Sequence, residues 1–229
     1  MNNPIRIVIA TPHPRYDSLE FNLVENKNLE VLRVREKSDL EIHKLLKFNP
    51  KYVFFPHWSW IIPEEIHMKF DCVIFHMTDL PYGRGGSPLQ NLIVRGHTET
   101  KLSAIRCIKD LDAGPIYLKR NLSLLGTAED IFLRAIRLMS EMIELISFDQ
   151  PEPIPQNGVV TEFKRRSIND GDLSRLKKIE EVYDFIRMLD ADGYPSAFIE
   201  KGHFRFEFTS ATLNSEDVVA KVKITRSVQ

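Results

Sequence analysis

The most constraining stretch of this sequence is a short apolar run that ends at a loop rich in glycine and proline. Residues 71–75 have the composition of a buried strand, and His76 follows them directly. Three glycines and two prolines between residues 81 and 88 exclude a helix and favour a tightly shaped loop. Open α/β sheets bind ligands at the carboxyl ends of their strands, where this histidine is predicted to lie. The alternative is a glycine-rich connection that carries an incidental surface histidine.

The length and the charge balance bound the class of protein. A chain of 229 residues accommodates one large domain, or one medium domain with a small appendage, and 43% of its residues are apolar. Its 31 basic and 32 acidic residues leave a formal net charge of −1. Nucleic-acid-binding domains usually carry a basic field, so this balance predicts no nucleic-acid partner.

The cysteines and the lack of long apolar segments predict a soluble cytoplasmic protein. Cys72 and Cys107 both lie inside apolar runs, which is typical of buried thiols in a reducing compartment. The amino terminus shows no basic stretch followed by an apolar core. No segment reaches the roughly 20 apolar residues that span a bilayer, so no membrane partner is expected. No cluster of histidines and cysteines has metal-ligand spacing, so no metal is expected.

Short apolar runs alternate with helical patterns in the first two thirds of the chain. Strands are predicted at residues 5–10, 29–34, 51–56, 71–75, 102–108 and 116–119, and helices at 17–25, 39–46, 90–95 and 127–146. This alternation predicts the α/β class, with a Rossmann-like, mostly parallel sheet and helices on both faces. The loop after the first strand lacks the three spaced glycines of a dinucleotide fingerprint, so NAD binding is not expected.

A proline-rich segment at residues 150–156 is the clearest boundary in the sequence. It predicts a first domain at residues 1–149, followed by a linker and a small α+β subdomain at 150–229. The predicted elements of that subdomain are a helix at 179–189 and strands at 197–200, 203–208 and 218–224, which together would form a small mixed β subdomain. The apolar tail strands are also compatible with a homodimer interface.

Both tryptophans of the chain fall in the loop that follows the third predicted strand. Residues 57–63, termed the tryptophan loop, contain Trp58, Trp60, Ile61 and Ile62. Bulky side chains at this position either cap the hydrophobic core or form a flat slot for a planar heterocycle. The sequence leaves both interpretations open.

Two segments resemble the formyltransferase family that uses N10-formyltetrahydrofolate, which includes the methionyl-tRNA and the sugar N-formyltransferases. The first is His76 with the Leu-Pro, Arg-Gly and Ser-Pro pairs of residues 80–88. The second is Leu-Asp-Ala-Gly-Pro-Ile at residues 111–116. Both keep the order and spacing of the family pattern. Residues 193–198 are similar to the start of the family's small carboxyl-terminal β domain.

Within the family, residues 57–66 and 75–81 are most similar to the short sugar N-formyltransferases of pseudaminic (nonulosonic) acid biosynthesis. The resemblance implies a formyltransferase catalytic domain at residues 1–149. It implies transfer of a formyl group from N10-formyltetrahydrofolate, as co-substrate, to the primary amine of a nucleotide-linked amino sugar used in glycosylation. The expected acceptor is a UDP-4-amino-4,6-dideoxyhexose. Two alternatives stay open, namely a non-catalytic protein that binds folate or a sugar nucleotide, and a methionyl-tRNA formyltransferase.

The resemblance also implies roles for single residues. His76 is expected to be the acid–base group and Asp112 its partner, and the two side chains are predicted to meet at the carboxyl edge of the sheet. Asp110 is the alternative carboxylate, and shaping of the turn is the alternative role of Asp112. The pterin is expected in the tryptophan loop, with backbone near Asp110 at its edge; the expected contacts are Trp58, Ser59, Trp60, Ile61 and Ile62.

The substrate is expected to contact Met77, Thr78, Arg84 and Arg165. The two arginines would bind phosphate oxygens, because a guanidinium pairs with them in a forked geometry. The alternative for both arginines is an ordinary surface position, and charge runs such as residues 164–166 are usually solvated.

One position departs from the family pattern. The family has an asparagine two residues before its catalytic histidine, and this chain has Ile74 there. Isoleucine cannot donate a hydrogen bond, and loss of one oxyanion donor typically costs on the order of 10²–10³ in rate. The candidate substitutes are the side chains of His57, Ser59, Thr78 and Asn91, which the sequence does not rank.

Overall fold

A computed structural model of the chain describes residues 3–227. In this part of the chain the strands are β1 (Ile5–Ala10), β2 (Leu29–Val34), β3 (Tyr52–Phe55), β4 (Asp71–His76), β5 (Arg84–Gly85), β6 (Glu99–Arg106), β7 (Ile116–Ser123), β8 (Glu162–Phe163), β9 (Ala197–Lys201), β10 (Phe204–Leu213) and β11 (Val218–Arg226). The α-helices are α1 (Asp17–Val24), α2 (Ile42–Phe48), α3 (Glu64–His67), α4 (Pro88–Ile93), α5 (Ala128–Asp149) and α6 (Ile179–Arg187).

The main sheet has six strands in the order β2-β1-β3-β4-β6-β7. Strand β1 pairs parallel with β2 and β3, and β3 pairs parallel with β4. All four residues of β3 and the last four of β1 are buried. Such continuous apolar runs are typical of parallel strands that are covered on both faces. The predicted α/β fold with a mostly parallel sheet is confirmed.

Strand β6 is the exception, because it runs antiparallel to β4. Ser103 pairs with His76, and Arg106 pairs with Val73. The chain therefore leaves β6 beside the first half of β4 and not beside its carboxyl end. The loop at residues 107–115, termed the Asp112 loop, therefore starts next to Val73, in the first half of β4.

The two cysteines are neighbours, because Cys72 is the second residue of β4 and Cys107 directly follows β6. The backbone N–H of Cys107 donates to the carbonyl oxygen of Cys72 at 2.7 Å, and both residues are buried with free thiols. Burial raises the pKa of Cys107 to about 11, which keeps its thiol protonated at neutral pH. The prediction of two buried thiols is confirmed.

The longest helix, α5, follows a capping box formed by Thr127 and Asp130. The Thr127 hydroxyl accepts a hydrogen bond from the backbone N–H of Asp130 at 3.2 Å. The Asp130 carboxylate accepts from the backbone N–H of Thr127 at 2.9 Å. This reciprocal pair satisfies two N–H groups of the first turn. None of the helices in residues 3–227 combines the length and the apolar composition needed to cross a membrane.

The carboxyl-terminal sheet has the order β11-β10-β9, and both pairings are antiparallel. The small carboxyl-terminal β subdomain predicted from the sequence is confirmed, and the short connections between its consecutive strands make neighbouring strands antiparallel. Leu173, Ile186 and Ala197 form the centre of a small apolar cluster that includes residues of α6 and β9.

The chain folds into two compact units that are both discontinuous in sequence. The first extends to Arg84 and includes Lys101–Leu122 and Leu133–Glu162. The second includes Gly85–Thr100, Ser123–Phe132 and the chain from Phe163 onward. The proline-rich segment at 150–156 belongs to the first unit. The domain division at residue 150 stays a prediction.

Candidate active site

His76 is the last residue of β4, and an oxygen atom lies near each of its two ring nitrogens. The side chain is buried, and Nε2 lies 2.7 Å from the carbonyl oxygen of Gly83. Because a carbonyl oxygen only accepts, Nε2 carries the hydrogen and donates it. Nδ1 is then the nitrogen that can take up a further proton. It lies 3.6 Å from Oδ2 of Asp112.

The glycine-rich loop at residues 81–88, termed the glycine loop, provides the acceptor for His76. The Gly83 carbonyl also accepts from the hydroxyl of Thr78, which is fully buried, at 3.4 Å. The backbone N–H groups of Gly83 and Arg84 both donate to the carbonyl oxygen of Thr161 at 2.9 Å. Gly83 has a φ of 76°, a left-handed conformation that glycine adopts without steric cost. The loop is thus shaped by its backbone, as the sequence predicts.

Asp112 reaches His76 from the middle of a loop. Its φ is 50°, and the residue is 8% exposed, whereas Asp110 is exposed to solvent. The structure therefore brings Asp112, and not Asp110, to the histidine. The sequence placed both side chains just past a strand at the carboxyl edge of the sheet. The two side chains do meet beside His76, the last residue of β4. The route to Asp112 differs from the expectation, because β6 is antiparallel and the loop that follows it has to fold back toward His76.

Gly114 allows the Asp112 loop to pack closely against the end of β6. A Cβ atom at this position would lie 1.7 Å from the carbonyl oxygen of Arg106. The N–H of Arg106 also donates to the carbonyl oxygen of Pro115 at 2.9 Å. Since any side chain at residue 114 would overlap the backbone of β6, glycine is required here for steric reasons.

Gln156 is a residue that the sequence reasoning missed. Its side-chain Nε2 donates to the carbonyl oxygens of Asp112 at 2.8 Å and Gly114 at 2.9 Å. Its Oε1 accepts from Nε of Arg84 at 3.1 Å and from Nη2 of Arg84 at 2.7 Å. Arg84, expected to bind phosphate, has these two nitrogens engaged within the protein. No local pattern in the proline-rich segment indicates these contacts.

The tryptophan loop is more open. The rings of Trp58 and Trp60 meet edge to face, with centroids 4.8 Å apart and an interplanar angle of 73°. Trp58 also meets the ring of Phe55 at 5.7 Å and packs against the core. Ser59 is exposed, Ile61 is 91% exposed, and Ile62 is buried. The two indoles therefore form no parallel-sided slot between them, although the loop presents apolar surface to solvent.

The candidate substitutes for the missing amide differ in their surroundings. Thr78 donates to Gly83, and the Nδ2 atom of Asn91, which has two hydrogens, lies 2.9–3.0 Å from three carbonyl oxygens, those of Gly86, Ser87 and Lys164. His57 stacks on the ring of Tyr16 at a centroid distance of 5.7 Å. Burial lowers the pKa of His57 to about 4, so its ring is neutral at pH 7. Ser59 is the candidate whose side chain faces solvent.

The two remaining residues that were predicted to contact the substrate, Met77 and Arg165, differ in their exposure to solvent. Met77 is buried beside His76 in sequence, and Arg165 is exposed. The next residue, Arg166, lies over the ring of Phe185 at 5.3 Å and lines a cavity of about 510 Å³ in the second unit. Three arginines and three acidic residues line that cavity, so its charges balance. Residues 3–227 contain no cluster of three or more metal-ligating side chains.

Comparison with known proteins identifies relatives over most of the chain. Residues 168–225 match the family model of the methionyl-tRNA formyltransferase carboxyl-terminal domain. A methionyl-tRNA formyltransferase from Bacillus thuringiensis is 30% identical over 171 residues, which are 71% of this chain and 54% of that protein. The chain thus spans about half the length of the curated relatives that it matches.

Solved structures extend the comparison. The structure of a methionyl-tRNA formyltransferase from Clostridium thermocellum is 44% identical, has a TM-score of 0.94 and is matched over 97% of this chain and 100% of its own. A sugar N-formyltransferase from a Shewanella species is 13% identical with a TM-score of 0.63, and the match covers 98% and 99% of the two chains. The second likeness shows a shared fold alone, whereas the first extends to sequence. The chain therefore belongs to the formyltransferase family.

Proposed function

We propose that this protein transfers a formyl group from N10-formyltetrahydrofolate to a primary amine. The observation that carries the proposal is the buried His76–Asp112 pair, in which Nε2 of the histidine is committed to a backbone carbonyl and Nδ1 faces the carboxylate. Family membership supports this reading, because the pair lies in the two segments whose motifs define the resemblance.

The arrangement explains how the proton is handled. The amine attacks the formyl carbon, and a proton leaves the amine nitrogen as the new C–N bond forms. Nδ1 of His76 is the position that can accept it, and the Asp112 carboxylate stabilises the resulting imidazolium. When the bond between the formyl carbon and N10 breaks, the same proton is delivered to N10. The products are a formamide and tetrahydrofolate, and neither a metal nor a covalent enzyme intermediate is required.

The tryptophan loop is the proposed site for the pterin ring. Ile61 is almost fully exposed and is flanked by Trp60, which is half-buried. A planar heterocycle that covers these side chains would remove apolar surface from water, which is the usual driving force in such sites. Trp58 contributes by packing beneath the loop rather than by stacking in parallel with Trp60.

The acceptor proposed first is methionyl-tRNA. It is supported by the 44% identity to the Clostridium thermocellum protein and by the carboxyl-terminal family model at residues 168–225. The motifs of the sequence favour a nucleotide-linked amino sugar as acceptor, whereas the comparisons favour methionyl-tRNA. The amino sugar remains the second candidate because the net charge of −1 provides no general attraction for tRNA.

A direct assay separates these possibilities. The protein is incubated with N10-formyltetrahydrofolate and either initiator methionyl-tRNA or a UDP-4-amino-4,6-dideoxyhexose, and the formylated product is measured by mass spectrometry. We expect turnover with methionyl-tRNA that is lost in His76→Asn and Asp112→Asn. His43→Asn and Glu65→Gln, which change exposed side chains, serve as controls. Folate binding without turnover on either acceptor would contradict the proposal and favour a non-catalytic binding protein.

A further inference from the structure

One side chain connects the two loops that position His76 and Asp112. Gln156 donates to the backbone of the Asp112 loop and accepts from Arg84 in the glycine loop. The glycine loop in turn provides the Gly83 carbonyl that holds Nε2 of His76. All of these residues belong to the first compact unit.

We propose that Gln156 and Arg84 are positioning residues that hold Asp112 at its working distance from His76. This inference rests on the proposed function, because it assigns a role within the same site. The Asp112 loop needs such a restraint, since Asp112 has a left-handed backbone conformation that non-glycine residues adopt at a cost. The bond from Gln156 ends on the carbonyl oxygen of Asp112 itself.

The chemistry of the contact requires an amide. Nε2 offers two hydrogens, which are used on the carbonyl oxygens of Asp112 and Gly114, and Oε1 receives the forked donation from Arg84. A carboxylate at residue 156 would still pair with Arg84, but it would present acceptors to two carbonyl oxygens. Glutamine is therefore the residue type that satisfies both sides of the bridge.

The backbone around Gln156 is itself fixed. Ile154 and Ile116 exchange two backbone hydrogen bonds of 2.9 Å and 2.8 Å, which attach the segment to the start of β7. Prolines at residues 151, 153 and 155 restrict the chain on either side of Ile154. The segment at residues 150–156, which the sequence predicts to be a linker, is thus a fixed support that holds Gln156 against the Asp112 loop.

The experiment compares Gln156→Ala with Asn157→Ala, which removes an exposed amide from the next residue. We expect Gln156→Ala to lower kcat about 10- to 100-fold with little change in KM for either substrate, and Asn157→Ala to leave both unchanged. Because the proposed role acts through Asp112, Gln156→Ala added to Asp112→Asn should lower the residual rate less than about twofold. If Gln156→Ala lowers kcat by the same factor in the wild-type and the Asp112→Asn backgrounds, or leaves the wild-type kcat unchanged, the inference is overturned.

A second measurement does not depend on activity. Hydrogen–deuterium exchange of the peptide that covers residues 107–115 should become faster in Gln156→Ala and in Gln156→Glu, and stay at the wild-type rate in Asn157→Ala. Unchanged exchange together with unchanged kcat would overturn the positioning role even if the wild-type protein is active. If the wild-type protein shows no formyl transfer but hydrogen–deuterium exchange is faster in the Gln156 variants, the proposed function is overturned. The restraint of the Asp112 loop by Gln156 is then still supported.

Discussion

The Asp112 loop and the tryptophan loop are built in opposite ways, although both belong to the first unit of the chain. The Asp112 loop is held by its close approach to β6 at Gly114 and by two hydrogen bonds from Gln156. The tryptophan loop leaves Ile61 exposed and keeps Trp60 half-buried. The difference indicates that the Asp112 loop positions a reacting group, whereas the tryptophan loop binds a ligand. A reacting carboxylate has to keep its place before the ligand arrives, whereas a binding surface gains its free energy when the ligand covers it.

The largest effect is expected at the held loop. Asp112→Asn keeps the size of the side chain but removes the negative charge that would stabilise the imidazolium of His76. We expect kcat/KM for formyl transfer to fall by about 10²–10⁴, the range typical of a lost acid–base contribution. Steady-state kinetics test this, with the melting temperature measured alongside. A loss below about threefold would show that Asp112 only shapes its turn.

Gly114→Ala should be the most destabilising substitution in the same loop. The added Cβ would lie 1.7 Å from a backbone oxygen, so the loop or β6 has to move. We expect the free energy of unfolding to fall by more than about 3 kcal/mol. The matched control is Gly96→Ala, because nothing lies within 4 Å of its Cβ position although its φ is 78°. If the two variants unfold at the same denaturant concentration, the close approach is not what holds the Asp112 loop.

The start of the tryptophan loop is less open than its tip, and pH should reveal this. Burial lowers the pKa of His57 from 6.5 to about 4, so the folded protein keeps the ring neutral while the unfolded chain takes up a proton. Above about pH 7 the burial of His57 therefore does not lower the free energy of unfolding through protonation. As the pH falls toward 4, protonation of the unfolded chain lowers that free energy progressively. The full difference is about 3 kcal/mol.

The measurement is urea unfolding of the wild-type protein and of His57→Asn between pH 7 and pH 4. Asparagine tolerates the positive φ of 78° at this position and does not titrate in this range. The difference between the two proteins should change by about 3 kcal/mol over the range, with the wild-type protein losing more. A constant difference would mean that His57 is hydrated in the folded protein.

Local patterns predicted the elements of the fold but not the contacts that complete the site. The strands at residues 5–10 and 29–34 have the same bounds in the structure as in the sequence interpretation, because β-branched runs between turn residues define them. The antiparallel direction of β6 was not predicted, since an eight-residue strand has the same local pattern in either direction. Gln156 was missed for a related reason. Its partners are 42, 44 and 72 positions away in sequence, so only the folded chain brings them together.

The smallest effect is expected at the exposed tip of the tryptophan loop, and it decides between the two interpretations of that loop. If the loop forms the pterin site, Trp60→Ala should weaken folate binding by about 1–2 kcal/mol, close to the value of one aromatic contact with its buried area. The rate at saturating donor should stay near the wild-type value, because Asp112 and His76 are held by other residues. Trp60→Phe keeps an aromatic ring and should retain most of the affinity. Calorimetric titration with tetrahydrofolate measures the change. A lower melting temperature with unchanged affinity would show instead that the loop only caps the core, and the contrast between a held loop and a ligand-binding loop would then be wrong.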